Sequence, residues 1–321
     1  MAKRFEMFYG PSGEGKSTAA IAVAKRIKQE TGKHTRVYIG DGSRATYEDS
    51  GFVYDAEDNP AGFIHLFEFG TLPNPFRVSD QICELYWPNA KGQLVPPTPE
   101  SLVNIGLVIY EGASVMGTYL MGDQKGGLRY RAGQGEKIGQ DSPIFINDDG
   151  TKVGGNPPSH YNVAQGAMVT RIEKSKAFPG WVIWTAHERL DDGKSGAEQQ
   201  REKLIGPEVV GKALTASISR VFHNTLHFTT VMSKKKVADP TTQKQVDVVH
   251  TEYRVYTRDH FDADGTNYTK YKAVSRCPKP ELLPDYIVGE QPGDNIIRFY
   301  QILAEARQKV REELEQEAGA A

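Results

Sequence analysis

The chain has 321 residues, with 39 Lys+Arg against 41 Asp+Glu and a formal net charge of −2, a length that suits one large α/β domain with an appendage or two domains. That balance excludes a histone-like coat of positive charge and leaves any nucleic-acid site to a local basic patch. No run approaches the ~20 apolar residues of a membrane span, and the two cysteines, Cys83 and Cys277, are far apart without CxxC spacing, so a membrane partner, a disulfide framework and a cysteine-based zinc site are not expected. No apolar leader precedes Phe5, and a reducing, cytoplasmic location is the expectation.

In chain order, residues 4–9 form a short buried strand and residues 16–31 a helix, with Ala19, Ala20, Val23, Ala24 and Ile27 on helical spacing and Gly32 as its stop. A second strand spans His34 to Ile39 and ends in Gly40-Asp41-Gly42-Ser43. Strand, glycine-rich turn, helix and strand in succession signal a parallel sheet. Residues 58–101 are a proline- and aromatic-rich excursion with a short helix near Ser79 to Tyr86. A buried strand follows at 104–110, then a Gly/Asp/Asn/Pro-rich stretch from about 122 to 160, too long for an ordinary connection. A helix is expected at Val163 to Ala177, a strand at Trp181 to Thr185, and a polar, mobile segment at 188–202. The stretches 221–233, 244–257 and 268–275 look β-rich, with Lys234-Lys235-Lys236 and Asp239-Pro240 at the first turn. Ile296, Phe299, Leu303, Ala306, Val310 and Leu314 give the last helix one apolar face for docking. The expected division is a core at 1–232, a β-rich extension at 233–292 and a C-terminal helix and tail at 293–321.

The strongest signal is Gly10-Pro11-Ser12-Gly13-Glu14-Gly15-Lys16-Ser17, which matches GxxxxGK[ST] between an expected strand and an expected helix. In such a loop, backbone N–H groups freed by glycine surround a phosphate while the next helix presents its positive end. Lys16 supplies a point charge for the β/γ-phosphates, Ser17 offers a hydroxyl to Mg2+, and Thr18 follows in the same turn. The apolar run Leu107 to Tyr110 ends in Glu111, a second metal-side group at a place where Asp is commoner. Asp41 is the first choice for the base that polarises water, with Asp55 and Glu57 as competitors. His187 ends the 181–186 strand, where it is either a structural residue or a ligand-edge one.

These elements resemble the RecA-like P-loop ATPases, most closely the phage-borne AAA-type nucleotide-binding proteins that act as Sak-type single-strand annealing or recombination ATPases. The matching pieces are Gly10 to Thr18, Leu107 to Ser114, the strand into His187, and Gly206 to Phe228. The resemblance implies an α/β core with a mainly parallel sheet flanked by helices, an antiparallel extension and a C-terminal helix. It further implies ATP and Mg2+ as ligands, His187 as a γ-phosphate sensor, residues 188–212 as a DNA-contacting segment, and Lys212 as a finger reaching a neighbour's nucleotide in a ring or filament. The chain departs from the pattern in offering the single acid Asp41 where an acidic pair is expected.

Lys125, Arg129, Tyr130 and Arg131 lie in a glycine-rich stretch with one stacking ring among charges, a composition that suits single-stranded DNA, as it also suits an ordinary solvated loop. Arg201, Lys203, Lys212 and Arg220 form a second basic strip. Lys234 to Lys236 blunt an edge or solubilise it. The sequence therefore describes an ATPase acting on single-stranded DNA; a DNA-packaging or helicase-like motor and a nucleotide-gated virion assembly protein are the rivals.

Overall fold

The computed structural model describes residues 3–122, 125–139, 145–146, 152–153, 158–191, 203–238, 245–264 and 267–320. β1 (Phe5–Tyr9) turns through the glycine-rich loop into α1 (Lys16–Thr31), and β2 (His34–Ile39) follows. α2 (Arg44–Glu48), β3 (Ile64–Glu68) and α3 (Pro75–Cys83) lead to a small flap, β4 (Trp87–Pro88) with β5 (Leu94–Val95), and to α4 (Pro99–Val103). Next come β6 (Ile105–Glu111), α5 (Ala113–Met121), α6 (Leu128–Gly133), the paired β7 (Phe145–Ile146) and β8 (Lys152–Val153), and α7 (Pro158–Ser175). β9 (Trp181–Ala186) is followed by β10 (Glu188–Asp191), β11 (Lys203–Pro207) and α8 (Gly211–Ser217). The long β12 (Asn224–Ala238) and β13 (Gln245–Tyr256) precede β14 (His260–Asp264), β15 (Asn267–Tyr271), β16 (Val274–Ser275), β17 (Tyr286–Gly289) and α9 (Asp294–Ala320).

The main sheet runs β17-β13-β12-β1-β9-β6-β2-β3, with β16 also on β12. From β12 to β3 every pairing is parallel, whereas β13, β16 and β17 join antiparallel. β10, β11, β15 and β14 form a separate four-stranded sheet. Helices cover both faces of the parallel part. Leu107 and Ile109 pack with α1 and α9, while Val108 and Tyr110 pack with α3, α5 and α7, the period-2 alternation of a strand. Burial on both faces explains why these strands read as unbroken apolar runs. This is the α/β architecture expected from the sequence: a mainly parallel sheet between helices, an antiparallel part and a C-terminal helix.

Several local expectations are corrected. The excursion helix lies at Pro75–Cys83 rather than 79–86, because Asn74 caps it by accepting a hydrogen bond from Arg77 N, with Pro75 at its first position. β3 was not expected, yet it pairs with β2 from Thr35↔Ile64 to Ile39↔Glu68. The 122–160 stretch carries helix α6, and α7 begins at Pro158, five residues early. Strand β10 opens the segment expected to be irregular, and β14 is a further unexpected strand. Lys234, Lys235 and Lys236 lie inside β12, opposite Val249, Val248 and Asp247, not at a turn; Asp239 and Pro240 lie outside the described residues.

α9 docks as expected over its first half. Ile296, Phe299, Leu303 and Ala306 are buried, but Val310 is only half-buried and Leu314 is exposed. Arg4 fastens this contact, its guanidinium lying over the rings of Trp181 and Tyr300. Beside it Glu6, wholly buried in β1, accepts hydrogen bonds from Asn224 Nδ2 at 3.0 and 2.7 Å, tying the starts of β1 and β12 together.

Candidate nucleotide-binding cleft

The C-terminal ends of β1, β9, β6 and β2 open on one edge of the sheet, where open α/β sheets bind ligands. A cleft of about 490 Å³ lies there. Its floor is the glycine-rich loop, and its shape follows from backbone demands. Gly10 sits so close to β12 that a Cβ would fall 2.1 Å from the Phe228 carbonyl oxygen, and Gly13 and Gly15 adopt φ near +83° and +82°, a region costly for other residues. Gly15 caps α1 without any side-chain bond, so the first N–H groups of a 16-residue helix are left for a ligand.

Ser12, Gly13, Gly15, Lys16, Ser17 and Thr18 line the cleft, whose lining does not include Gly10, Pro11 or Glu14. Lys16 is buried, and its Nζ donates to Gly10 O at 2.9 Å and Pro11 O at 2.5 Å. Burial lowers its pKa, with the carboxylates of Glu111, Asp41 and Glu14 opposing. The ammonium is thus held by two carbonyls that a phosphate oxygen can replace.

Glu111 ends β6 and is 2% exposed. Its carboxylate accepts hydrogen bonds from the hydroxyls of Tyr47 and Thr185, and Ser17 lines the same cleft. Thr185 Oγ1 also accepts from Gly112 N at 3.1 Å, fixing the rotamer that reaches the carboxylate. Burial, then the charge of Asp41, pushes the Glu111 pKa up to about 7. A carboxylate and a serine hydroxyl lining the mouth of one phosphate loop are the kind of oxygen donors a hard divalent cation takes. Among the described residues no group of three or more His, Cys, Asp or Glu side chains could hold a metal alone. A cation here would draw its remaining ligands from phosphate and water, the habit of Mg2+.

Of the three acids weighed as base, Asp41 lines the cleft, with Oδ1 accepting from Ser43 N at 3.0 Å. Asp55 instead closes its own turn, accepting from Glu57 N and Asp58 N, away from the cleft. His187 lines the wall beyond Ala186, and its N–H donates to Ser114 Oγ at 2.8 Å. Ser114 Oγ in turn donates to Glu208 O, and Glu208 N donates to His187 O. One hydroxyl therefore joins α5, the end of β9 and the chain entering α8. The backbone places Lys212 in the first turn of α8.

The basic residues separate. Arg129, Tyr130 and Arg131 lie on α6, a helix rather than an extended loop. Arg129 faces a second cleft of about 220 Å³ with Tyr161, Arg189 and Ser114. Tyr130 is exposed, and Arg131 Nε donates to Glu136 Oε2 at 2.8 Å. Lys125 is exposed in the preceding turn. Arg201 lies outside the described residues, and Lys203 opens β11.

Sequence reasoning missed Tyr47, Thr185, Tyr253 and Pro292. Tyr253 comes from β13 and Pro292 from the turn before α9, yet both line the cleft, and a Cβ on Gly15 would lie 3.3 Å from Pro292 Cβ and 3.9 Å from Tyr253 Cδ1. Only the antiparallel pairing of β13 on β12 brings them there, and nothing local in the sequence signals it.

No family model matches the chain, and no curated protein matches it. Among solved structures, the flagellar accessory protein FlaH from Methanocaldococcus jannaschii is similar over 89% of this chain and 84% of that one, at 8% identity and a TM-score of 0.41.

Proposed function

We propose that this chain binds Mg-ATP in the cleft and hydrolyses it as a RecA-like P-loop ATPase, coupling turnover to single-stranded DNA. The observation that supports the reading best is the buried Lys16 beside an uncapped helix start, in one cleft with Ser17 and the Glu111 carboxylate. A polyphosphate satisfies every orphan at once: the N–H groups of α1, the Lys16 ammonium and the oxygen pair. Mg2+, when bound, supplies positive charge to the β/γ-phosphate oxygens. Ser17 and Glu111 would hold it.

The chain's own groups then have defined tasks. Lys16 leaves the Gly10 and Pro11 carbonyls for phosphate oxygen and stabilises charge that builds during in-line attack by water. Asp41 accepts the proton of that water from the opposite lip of the cleft. His187 reports the γ-phosphate through its Ser114 and Glu208 hydrogen bonds to the α8 side, where Lys212 would reach a neighbour's nucleotide in a ring or filament. Tyr253 and Pro292 offer a flat apolar seat for the base beside Gly15. Lys125, Arg129, Tyr130 and Arg131 would follow the strand, with bases stacking on the exposed ring; Arg131 would have to leave Glu136 to do so.

Steady-state ATP hydrolysis with and without single- and double-stranded DNA at fixed salt, beside Lys16→Ala, tests this. Turnover stimulated chiefly by single strands and lost in Lys16→Ala supports it. Stimulation only by duplex moves the function to a translocating motor, stable oligomers without DNA-stimulated turnover move it to a nucleotide-gated assembly protein, and wild-type turnover by Lys16→Ala removes the assigned site.

A further inference from the structure

Two parts of the chain leave the body, at opposite edges of the main sheet. β12 pairs with β1 from Glu6↔Asn224 to Tyr9↔His227, and β17 supports β13 only from Tyr253 to Tyr256. Beyond those rungs, residues 231–238 and 245–252 pair among the described residues only with each other. Eight residues of strand make a ribbon of about 26 Å, leaving from the cleft edge. Lys234, Lys235 and Lys236 are exposed on it. Met232, Lys234 and Lys236, opposite Thr251, Val249 and Asp247, share the pleat face that carries Tyr253, and Met232 is 71% and Val249 60% exposed. An apolar surface set among lysines suits a partner with both apolar and acidic side chains better than it suits a phosphate backbone.

α9 supplies such a surface at the other edge. It starts beside the cleft, where Asn295 Nδ2 donates to Tyr253 O. It then passes Arg4 and Trp181 at the strand starts and continues past Ala306 as an exposed helix with only Val310 half-buried. Those last residues, 307–320, span about 21 Å. Leu314 is 59% exposed, and residues 312–317 hold four glutamates and no basic side chain. By helical spacing Glu317 and Arg311 share the face of Leu314, with Glu313 and Glu315 about 100° to either side; Lys279 engages Glu313.

Within one chain these two surfaces point apart. We infer that the β12–β13 ribbon of one copy docks on the exposed end of α9 of a second copy, Lys234–Lys236 against Glu312–Glu317 and Met232 with Val249 against Leu314. The contact joins two different surfaces, so it is heterologous and propagates head to tail, either closing a ring or extending a filament. It is independent of whether the cleft binds nucleotide.

Sedimentation velocity on the full chain at tens of micromolar, at low and raised salt, tests the inference with charge swaps. One variant carries Lys234→Glu, Lys235→Glu and Lys236→Glu; the other carries Glu315→Lys and Glu317→Lys. None of these side chains enters the core, so circular-dichroism melts are the control for folding. The wild type is expected to associate, less so as salt rises. Each variant alone is expected to associate at least about tenfold more weakly, and an equimolar mixture of the two to recover association, because each then offers a complementary surface to the other. A monomeric wild type, an unchanged ribbon variant, or a mixture that stays dissociated overturns the contact. So does a ribbon variant that assembles normally but loses affinity for a DNA duplex.

Discussion

The parallel and antiparallel halves of the main sheet treat their polar groups in opposite ways. In the parallel half, β6 and β9 are buried along their whole length and gather polar chemistry at one edge, where Glu111 accepts from Tyr47 and Thr185 and Thr185 accepts from Gly112 N. In the antiparallel half, β12 begins as buried sheet at Asn224–Phe228 and ends as a ribbon with lysines on both faces. Burial makes chemistry by perturbing a few groups, whereas exposure leaves many side chains available to partners. Tyr253 stands at the junction, belonging by sequence to the second half and by position to the cleft.

Breaking the parallel half should cost most. Lys16→Ala is expected to lower kcat by two to three orders of magnitude, the scale seen when one donor to developing charge is lost, with an unchanged far-ultraviolet spectrum. Glu111→Gln is expected to lower Mg2+-dependent turnover by about a hundredfold and to change stability in a particular direction. Burial holds the folded Glu111 carboxyl at about 7 against an ordinary 4.5. Between those values the folded chain keeps a proton that the unfolded chain has released, so stability in metal-free buffer falls as pH rises through that window. Glu6, buried and raised to about 7 as well, adds to the same slope. Melting temperatures of the wild type against Glu111→Gln should therefore fall with pH in both, less steeply in the variant. An equal slope would mean that Glu111 is not the perturbed group.

Sharpening the junction gives a smaller effect. Tyr253→Ala is expected to raise KM for ATP about five- to tenfold with kcat preserved, the worth of one stacked ring, and Tyr253→Phe to restore it. Smallest of all, Arg131→Ala should weaken single-strand DNA binding by less than about threefold, since an exposed pair of this kind is worth under about 1 kcal/mol. A fluorescence-anisotropy titration reads it, and a loss of more than about tenfold would make Arg131 a principal phosphate contact.

The same contrast decides what could be read in the sequence. β1, β2, β6 and β9 were legible because strands covered on both faces need continuous apolar runs, and α1 because Ala19, Val23, Ala24 and Ile27 must share a stripe. The phosphate loop was legible because its glycines answer local backbone demands. β3 was not, since its His65 and Glu68 sit on a half-covered edge strand within a proline-rich stretch. Tyr47 and Thr185 escaped because a hydroxyl aimed at a buried carboxylate is defined only by the crossing of α2, β6 and β9. Lys234–Lys236 were misplaced because a two-sided polar strand has the composition of a turn.

Gly10 packs against the Phe228 carbonyl without room for even a methyl group, and Phe228 is the first residue of β12 past its pairing with β1, at the start of its run with β13 to Ala238. That contact is a fulcrum close to one end of a stiff beam. With ten residues of strand beyond it, about 33 Å, a tilt of about 5° at the loop would sweep the far end by about 3 Å, so a ligand seated on the loop has mechanical advantage over whatever the tip touches.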